Sequence, residues 1–333
     1  MNTQRRAEAG ERGKAERANR RAEPPRLAAG LAFARALREA VEGGARLPDA
    51  VAGAAGEFPR AVREGADRAL RRLQGDYPED EWGFDEEFAD ALVPFFELLH
   101  DVWWRVRSEG VRHVPAHGRA LLVANHAGAL PWDAAMISTA LLRAHPLPRH
   151  PRFLVLDRAF SVPWVATGLR KLGGVVASPQ NAVRLLEQDH LVGVFPEGLR
   201  GTGKPFRNRY QLARFGRGGF VETAMRTGAP IVPVAVVGSE EIYPKIGEAR
   251  ILARAAGLPF FPVTPTFPLL GPLGAVPLPV KWRIEFCAPI ETAPLGPEAV
   301  HDRATVLELT ELVRATIQEK VYENLVRRGP AFI

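Results

Sequence analysis

The stretch Val194–Phe206, VFPEGLRGTGKPF, admits two readings, and the choice between them decides the fold. Gly198, Gly203 and Lys204 reproduce the G-x-x-x-x-G-K spacing of a phosphate-cradling loop, directly after an apolar run. In such a loop the residue after the lysine is Ser or Thr, whose hydroxyl ligates magnesium. Here it is Pro205, which also removes a backbone N–H where the following helix should start. No apolar run ending in an acidic magnesium ligand accompanies the stretch. The nucleotide reading is therefore set aside, and its first half, F-P-E-G, carries the argument instead.

Around that stretch, from Arg119 onward, short apolar runs alternate with helical patterns, the mark of an α/β domain. ALLVAN, RFLVL and LVGVF read as strands; APIVPVAVVG (Ala229–Gly238) reads as a strand interrupted by Pro233; VKWRIEFCAPI returns to alternation. PWDAAMISTALL reads as a helix opened by Pro131, and DRATVLELTELVRATIQEKVYENLVRR as a closing helix. Gly257–Pro279 is apolar and rich in proline, so it is neither helix nor central strand. The expected architecture is a mixed β-sheet covered by helices, over residues 111–328.

Residues 26–110 read as an N-terminal helical region. Leu27–Val41 and Pro59–Gly75 have amphipathic spacing, and Asp85–Gly110 forms a third helix with a broad apolar stripe that Pro94 kinks and Trp103, Trp104 and Arg105 close. Aromatic side chains ending in Trp and Arg suit a membrane interface, so this region is a candidate for docking there. Residues 1–25 are polar, rich in arginine and without an apolar core segment, as expected of a disordered basic tail rather than a secretory signal.

With 333 residues, 46% of them hydrophobic, the chain can bury a sizeable core. Its net charge of +6 calls for an anionic partner: nucleic acid, a membrane surface or a phosphorylated substrate. The single cysteine, Cys287, excludes an internal disulfide and a multi-cysteine zinc site, and fits a reducing compartment. No run of about 18 apolar residues occurs, so a membrane association would be peripheral.

His126 follows a strand, and Asp133 falls in the first turn of the next helix. An imidazole with a pKa near neutrality can take a proton while a carboxylate holds its other nitrogen, a general-base pair. A serine nucleophile in a G-x-S-x-G elbow is absent.

Four blocks in order, NHAGALPWDAAM (Asn125–Met136), GGVVASPQNA (Gly173–Ala182), VFPEGLRGTGKPF and GAPIVPVAVVGSEE (Gly228–Glu241), resemble the glycerolipid acyltransferase family, over roughly Val111–Glu291. The resemblance implies that His126 deprotonates the acceptor hydroxyl for attack on an acyl thioester and that Asp133 orients it. It implies that Glu197 and Gly198 shape the acceptor pocket and that Arg200 binds an anionic group. Lys204 and Arg207, with Arg209, Arg214 and Arg217, form a basic cluster suited to the phosphates of coenzyme A, the acidic face of acyl carrier protein or lipid headgroups. Neither a metal nor a cofactor is implied, since acyl-CoA or acyl carrier protein enters as co-substrate. The expected partners are that donor, a glycerolipid acceptor and an anionic membrane touched peripherally on its cytoplasmic face, without nucleic acid. The competing reading is a lipid-binding protein that kept the fold but not the catalysis.

Two features depart from the family pattern. Six residues separate His126 from Asp133 where the family usually has four, and the second block carries Ser178 and Gln180 where an arginine is usual, with Arg184 a turn later. The longer spacing must be absorbed where the helix starts, which Pro131 makes feasible; the missing arginine widens the expected acceptor from a lysophosphatidate-like lipid to a monoacylglycerol- or diacylglycerol-like one.

Overall fold

The structure, a computed structural model, describes residues 58–332 apart from 76, 127–129, 162, 250–261, 268, 270–273 and 275. The expected tail, the expected helix Leu27–Val41 and about half of the proline-rich stretch lie outside them. The chain divides into two compact units, Met1–Asp67 and Arg68–Ile333, and the second holds the whole β-sheet. The helix expected over Pro59–Gly75 is α1 (Arg60–Gln74).

Seven strands make one mixed sheet: β1 (Arg107–Glu109), β2 (Ala120–Ala124), β3 (Arg152–Val155), β4 (Gly174–Val176), β5 (Leu191–Val194), β6 (Ile231–Val237) and β9 (Arg283–Phe286), in the order β1-β9-β6-β2-β5-β3-β4. β7 (Gly247–Glu248) and β8 (Pro262–Val263) form a separate antiparallel ribbon. From β6 to β4 the sheet is parallel; β9 runs against β6 and carries β1 parallel to itself.

The central strands are apolar on both sides because both sides are covered. Leu122 and Ala124 of β2 and Val232, Val234 and Val236 of β6 face α3 (Trp132–Ala144), which contributes Met136, Ile137, Ala140 and Leu141. Leu121 and Val123, with Ile231, Ala235 and Val237, face the other way. They meet Leu185 and Leu186 of α5 (Pro179–Glu187), Ala224 and Met225 of α7 (Gly219–Thr227), and Val313, Ile317 and Val321 of α8 (Arg303–Arg328). The alternation of period two thus sorts each strand between two helical layers.

Pro233 does not interrupt β6, as the sequence had led us to expect. Its carbonyl accepts from Cys287 N at 2.8 Å, and Ile231 pairs with Ile290 beyond it. Between the pairs Val234–Phe286 and Ile231–Ile290 the outgoing chain after β9 has one more residue than β6, a bulge placed where Pro233 has no N–H to give.

The expected helix Asp85–Gly110 is also shorter than read. α2 spans Glu86–Leu98 with Asp85 as N-cap and Pro94 inside it without ending it, and the wide turn Leu99–Trp103 follows before β1. That turn closes with Trp104 N donating to Leu99 O at 2.8 Å. The extra residue in it rotates Trp104 inward, where it is fully buried, stacks on Trp282 at 4.9 Å and donates Nε1 to Leu278 O. Trp103 Nε1 and the Arg105 guanidinium bond Pro277 O and Pro279 O. The end of the proline-rich stretch therefore runs alongside these residues, and Trp104 is a core residue rather than an interfacial one.

Candidate active site

Parallel strands deliver all their carboxyl ends to one edge of a sheet, and loops leaving that edge assemble sites. β2 ends at Ala124, and Asn125 continues it with its side chain. The buried amide donates Nδ2 to Val236 O at 2.9 Å and accepts from Val236 N at 2.8 Å, two more rungs between β2 and β6. His126 comes next, so its backbone starts from a fixed point.

The imidazole is held on two sides. Nδ1 lies 2.7 Å from Asp133 Oδ2, and the Asp133 side chain is wholly buried in the first turn of α3, where the helix N-terminus favours a negative charge. The ring stacks on Phe195 at 4.4 Å between centroids, and Phe195 stacks on Phe153 at 5.5 Å. The space for Phe153 depends on Gly193 in β5, since a Cβ there would collide with the Phe153 ring. The six-residue spacing thus still brings His126 and Asp133 together. The wider gap is absorbed before α3, which begins at Trp132 behind Pro131.

Burial opposes the imidazolium most strongly. Asp133, by charge and hydrogen bond, and the more distant charge of Glu197 outweigh that burial and the opposing charge of Lys204, so the His126 pKa is held above its ordinary 6.5.

Glu197 sits beneath this pair. Its buried carboxylate accepts from His126 N at 3.0 Å and from Ala213 N at 2.7 Å. It ties the loop after β2 to the segment that follows the F-P-E-G turn. Gly198 turns the chain there with φ +53°, and the short helix α6 (Leu199–Thr202) follows. Lys204, 9% exposed at its side chain, reaches Glu240 Oε1 at 2.9 Å and Glu197 Oε2 at 3.5 Å. Glu240 also accepts from Tyr210 N; burial, against Lys204, holds its carboxyl above the usual range. Arg200, Arg207, Arg209, Arg214 and Arg217 are all exposed.

The structure therefore gathers His126, Asp133 and Glu197 in one cluster with Lys204 behind it. Arg200 and Arg207 stand on the solvent side of the same loop. Sequence reasoning missed Asn125, the rings of Phe195 and Phe153, and Glu240. Asn125, Phe195 and Glu240 lay within the quoted blocks, as the residue before the histidine, the F of F-P-E-G and the first glutamate after Ser239; Phe153 bears on the site only through folding. In the second block, Ser178 caps α5 by accepting from Asn181 N, and Arg184 pairs with Glu81 and lies over the Trp82 ring at 4.8 Å.

Comparison with known proteins gives a consistent picture. The family model for Acyltransferase matches residues 105–237. An uncharacterized protein of Mycobacterium tuberculosis (strain ATCC 25618 / H37Rv) is 49% identical over 263 residues, 79% of this chain and 74% of that protein. An uncharacterized protein of Mycobacterium leprae (strain TN) is also 49% identical, over 79% of this chain and 72% of its own length. A protein of Bos taurus named DGAT1/2-independent enzyme synthesizing storage lipids is 25% identical over 171 residues, half of each chain. Among solved structures, the 1-acyl-sn-glycerophosphate (LPA) acyltransferase PlsC from Thermotoga maritima aligns with a TM-score of 0.51 at 20% identity, covering 79% of this chain and 90% of that one, a likeness of fold.

Proposed function

The chain belongs to the glycerolipid acyltransferase family, and from that premise we propose that it moves a fatty acyl group from a coenzyme A or acyl-carrier-protein thioester to a hydroxyl of a glycerolipid, with His126 as general base. The observation that carries this reading is the 2.7 Å contact between His126 Nδ1 and buried Asp133, which assigns the proton on Nδ1 and leaves Nε2 to the acceptor.

In the reaction, Nε2 takes the acceptor's hydroxyl proton as the oxygen attacks the thioester carbonyl. The tetrahedral intermediate expels the thiolate, the C–S bond breaks, and the imidazolium returns its proton to sulfur. An ester and a free thiol result. Asp133 holds the ring and stabilises the transient imidazolium, while Phe195 fixes the ring plane.

For the acceptor, we favour a glycerolipid of low charge, such as monoacylglycerol. Arg184 is occupied by Glu81 and Lys204 by Glu240, so neither is spare to hold a phosphate of the acceptor. The storage-lipid synthesis in the name of the bovine relative points the same way. We assign the work to the cytoplasmic face of a membrane, where both lipids are available.

The test is transfer of labelled acyl chains from acyl-CoA and from acyl carrier protein to monoacylglycerol, diacylglycerol, lysophosphatidate and other lysophospholipids. Ester formation on a hydroxyl acceptor, lost in His126→Ala, is the expected result. Lipid binding without transfer to any acceptor would mean the fold is used only to bind.

A further inference from the structure

Six exposed large apolar side chains fall at the edge where the parallel strands end. Leu130 precedes α3 after β2; Leu156 follows β3; Val165 is in the first turn of α4 (Pro163–Lys171); Val176 ends β4; Leu199 opens α6 after β5; Ile246 lies beyond β6. Their exposures run from 37% at Val176 to 65% at Ile246. They leave five different connections of one sheet, and topology alone places them together, on the His126 edge. Single exposed leucines are ordinary, but a group of them around one edge marks a binding surface.

The charge on this edge is positive. Arg158 in the turn after β3 and Arg200 and Arg207 on the catalytic loop are exposed, whereas Glu197, Glu240 and Glu241 of the neighbouring turns are turned inward onto backbone amides, Lys204 and Arg328. Asp157 is exposed beside Arg158. Apolar side chains flanked by arginines, with the nearby carboxylates withdrawn, complement a surface with an oily interior and anionic headgroups. Of the two tryptophans the sequence offered for this role, Trp104 is buried in the core, and Trp103 is partly buried with its Nε1 donating to Pro277 O.

We propose that the carboxyl-end rim of the sheet, from Leu130 and Leu156 round to Leu199 and Ile246, is the face by which this protein rests on an anionic bilayer, with His126 directed at the lipid. The choice of a bilayer as occupant rests on the acyltransferase reading, because the acceptor is itself a membrane lipid. The contact is independent of the chemistry.

The experiment measures sedimentation of the full chain with vesicles of equal phosphatidylglycerol and phosphatidylcholine, and with phosphatidylcholine alone. Wild type is expected to bind the anionic vesicles, more weakly as salt rises. Leu156→Asp with Val165→Asp should weaken that binding at least about tenfold, as apolar surface is replaced by charge at an anionic membrane. Leu156→Ser with Val165→Ser should weaken it less, with the thermal midpoint of both pairs unchanged. Leu312→Asp, an equally exposed residue on α8, should bind like wild type. Transfer from a short-chain soluble thioester to a dispersed monomeric acceptor is read in parallel, and the rim variants should retain it. The proposal is overturned if wild type ignores the vesicles, if the rim pairs bind as wild type does, or if Leu312→Asp loses as much as they do. Rim-dependent binding without any acyl transfer would leave the docking face standing and remove the acyltransferase reading instead.

Discussion

At the scale of single residues, the proposed chemistry turns on where one proton rests. His126→Ala should lower turnover by about two to four orders of magnitude, the usual contribution of a positioned general base, with the fold intact. Asp133→Asn removes the charge that holds the His126 pKa above 6.5, so the acidic limb of the pH–rate profile should move to lower pH while the plateau rate falls. The sign for stability follows from the same shift. A raised folded pKa contributes stability that is fully present below 6.5 and lost as pH rises through the folded value, so Asp133→Asn should cost most on the acidic side, as read by chemical denaturation at several pH values. Gly193→Ala tests the aromatic stack, because the new methyl would collide with the Phe153 ring. Overpacking of this kind costs about 1–3 kcal/mol, and the displaced Phe195 should also lower kcat in acyl-transfer assays. His126 and Asp133 were legible in the sequence because their chemistry is visible in residue type and order. The roles of Phe153 and Gly193 were not, since they meet only across β3 and β5.

At the scale of elements, the wide turn after α2 and the Lys204 bridge between Glu197 and Glu240 matter most. The aromatic periodicity of Phe88–Val106 reads as one continuous helix, and a single extra residue in the turn Leu99–Trp103 changes which face Trp104 presents. Periodicity carries no warning of such a turn, because the pattern before it is helical and the residue after it is apolar in either case. Trp104→Ala should therefore behave as a core deletion, destabilising by about 3–5 kcal/mol in denaturant titrations. Pro233 misled in the opposite direction: a proline breaks a strand only where its N–H is needed, and the partner's bulge sits at that point. Glu240→Gln keeps an acceptor for Tyr210 N but removes the charge that shares Lys204 with Glu197. Lys204 should then settle on Glu197 and loosen its hold on His126 N, lowering kcat by about one order of magnitude with little change in KM.

At the scale of the whole molecule, the alternating texture from Arg119 onward was enough to name a mixed sheet covered by helices, because buried parallel strands write themselves as short apolar runs. The strand β1 escaped notice: three residues of arginine, serine and glutamate carry no apolar signature, and they join the sheet only because β9 offers an edge. That edge has no counterpart nearby in sequence. Arg107 pairs with Arg283, 176 positions further on (283 minus 107), and Trp104 waits for Trp282 over a similar length. A ribosome adding about 5–20 residues each second would leave β1 and its tryptophan without their partners for about 9–35 seconds, well after β2, β5 and β6 could have joined around His126. The strands around His126 are thus all made before β9, and the far margin of the sheet is joined last among them, with Trp104 short of its stacking partner until Trp282 is made.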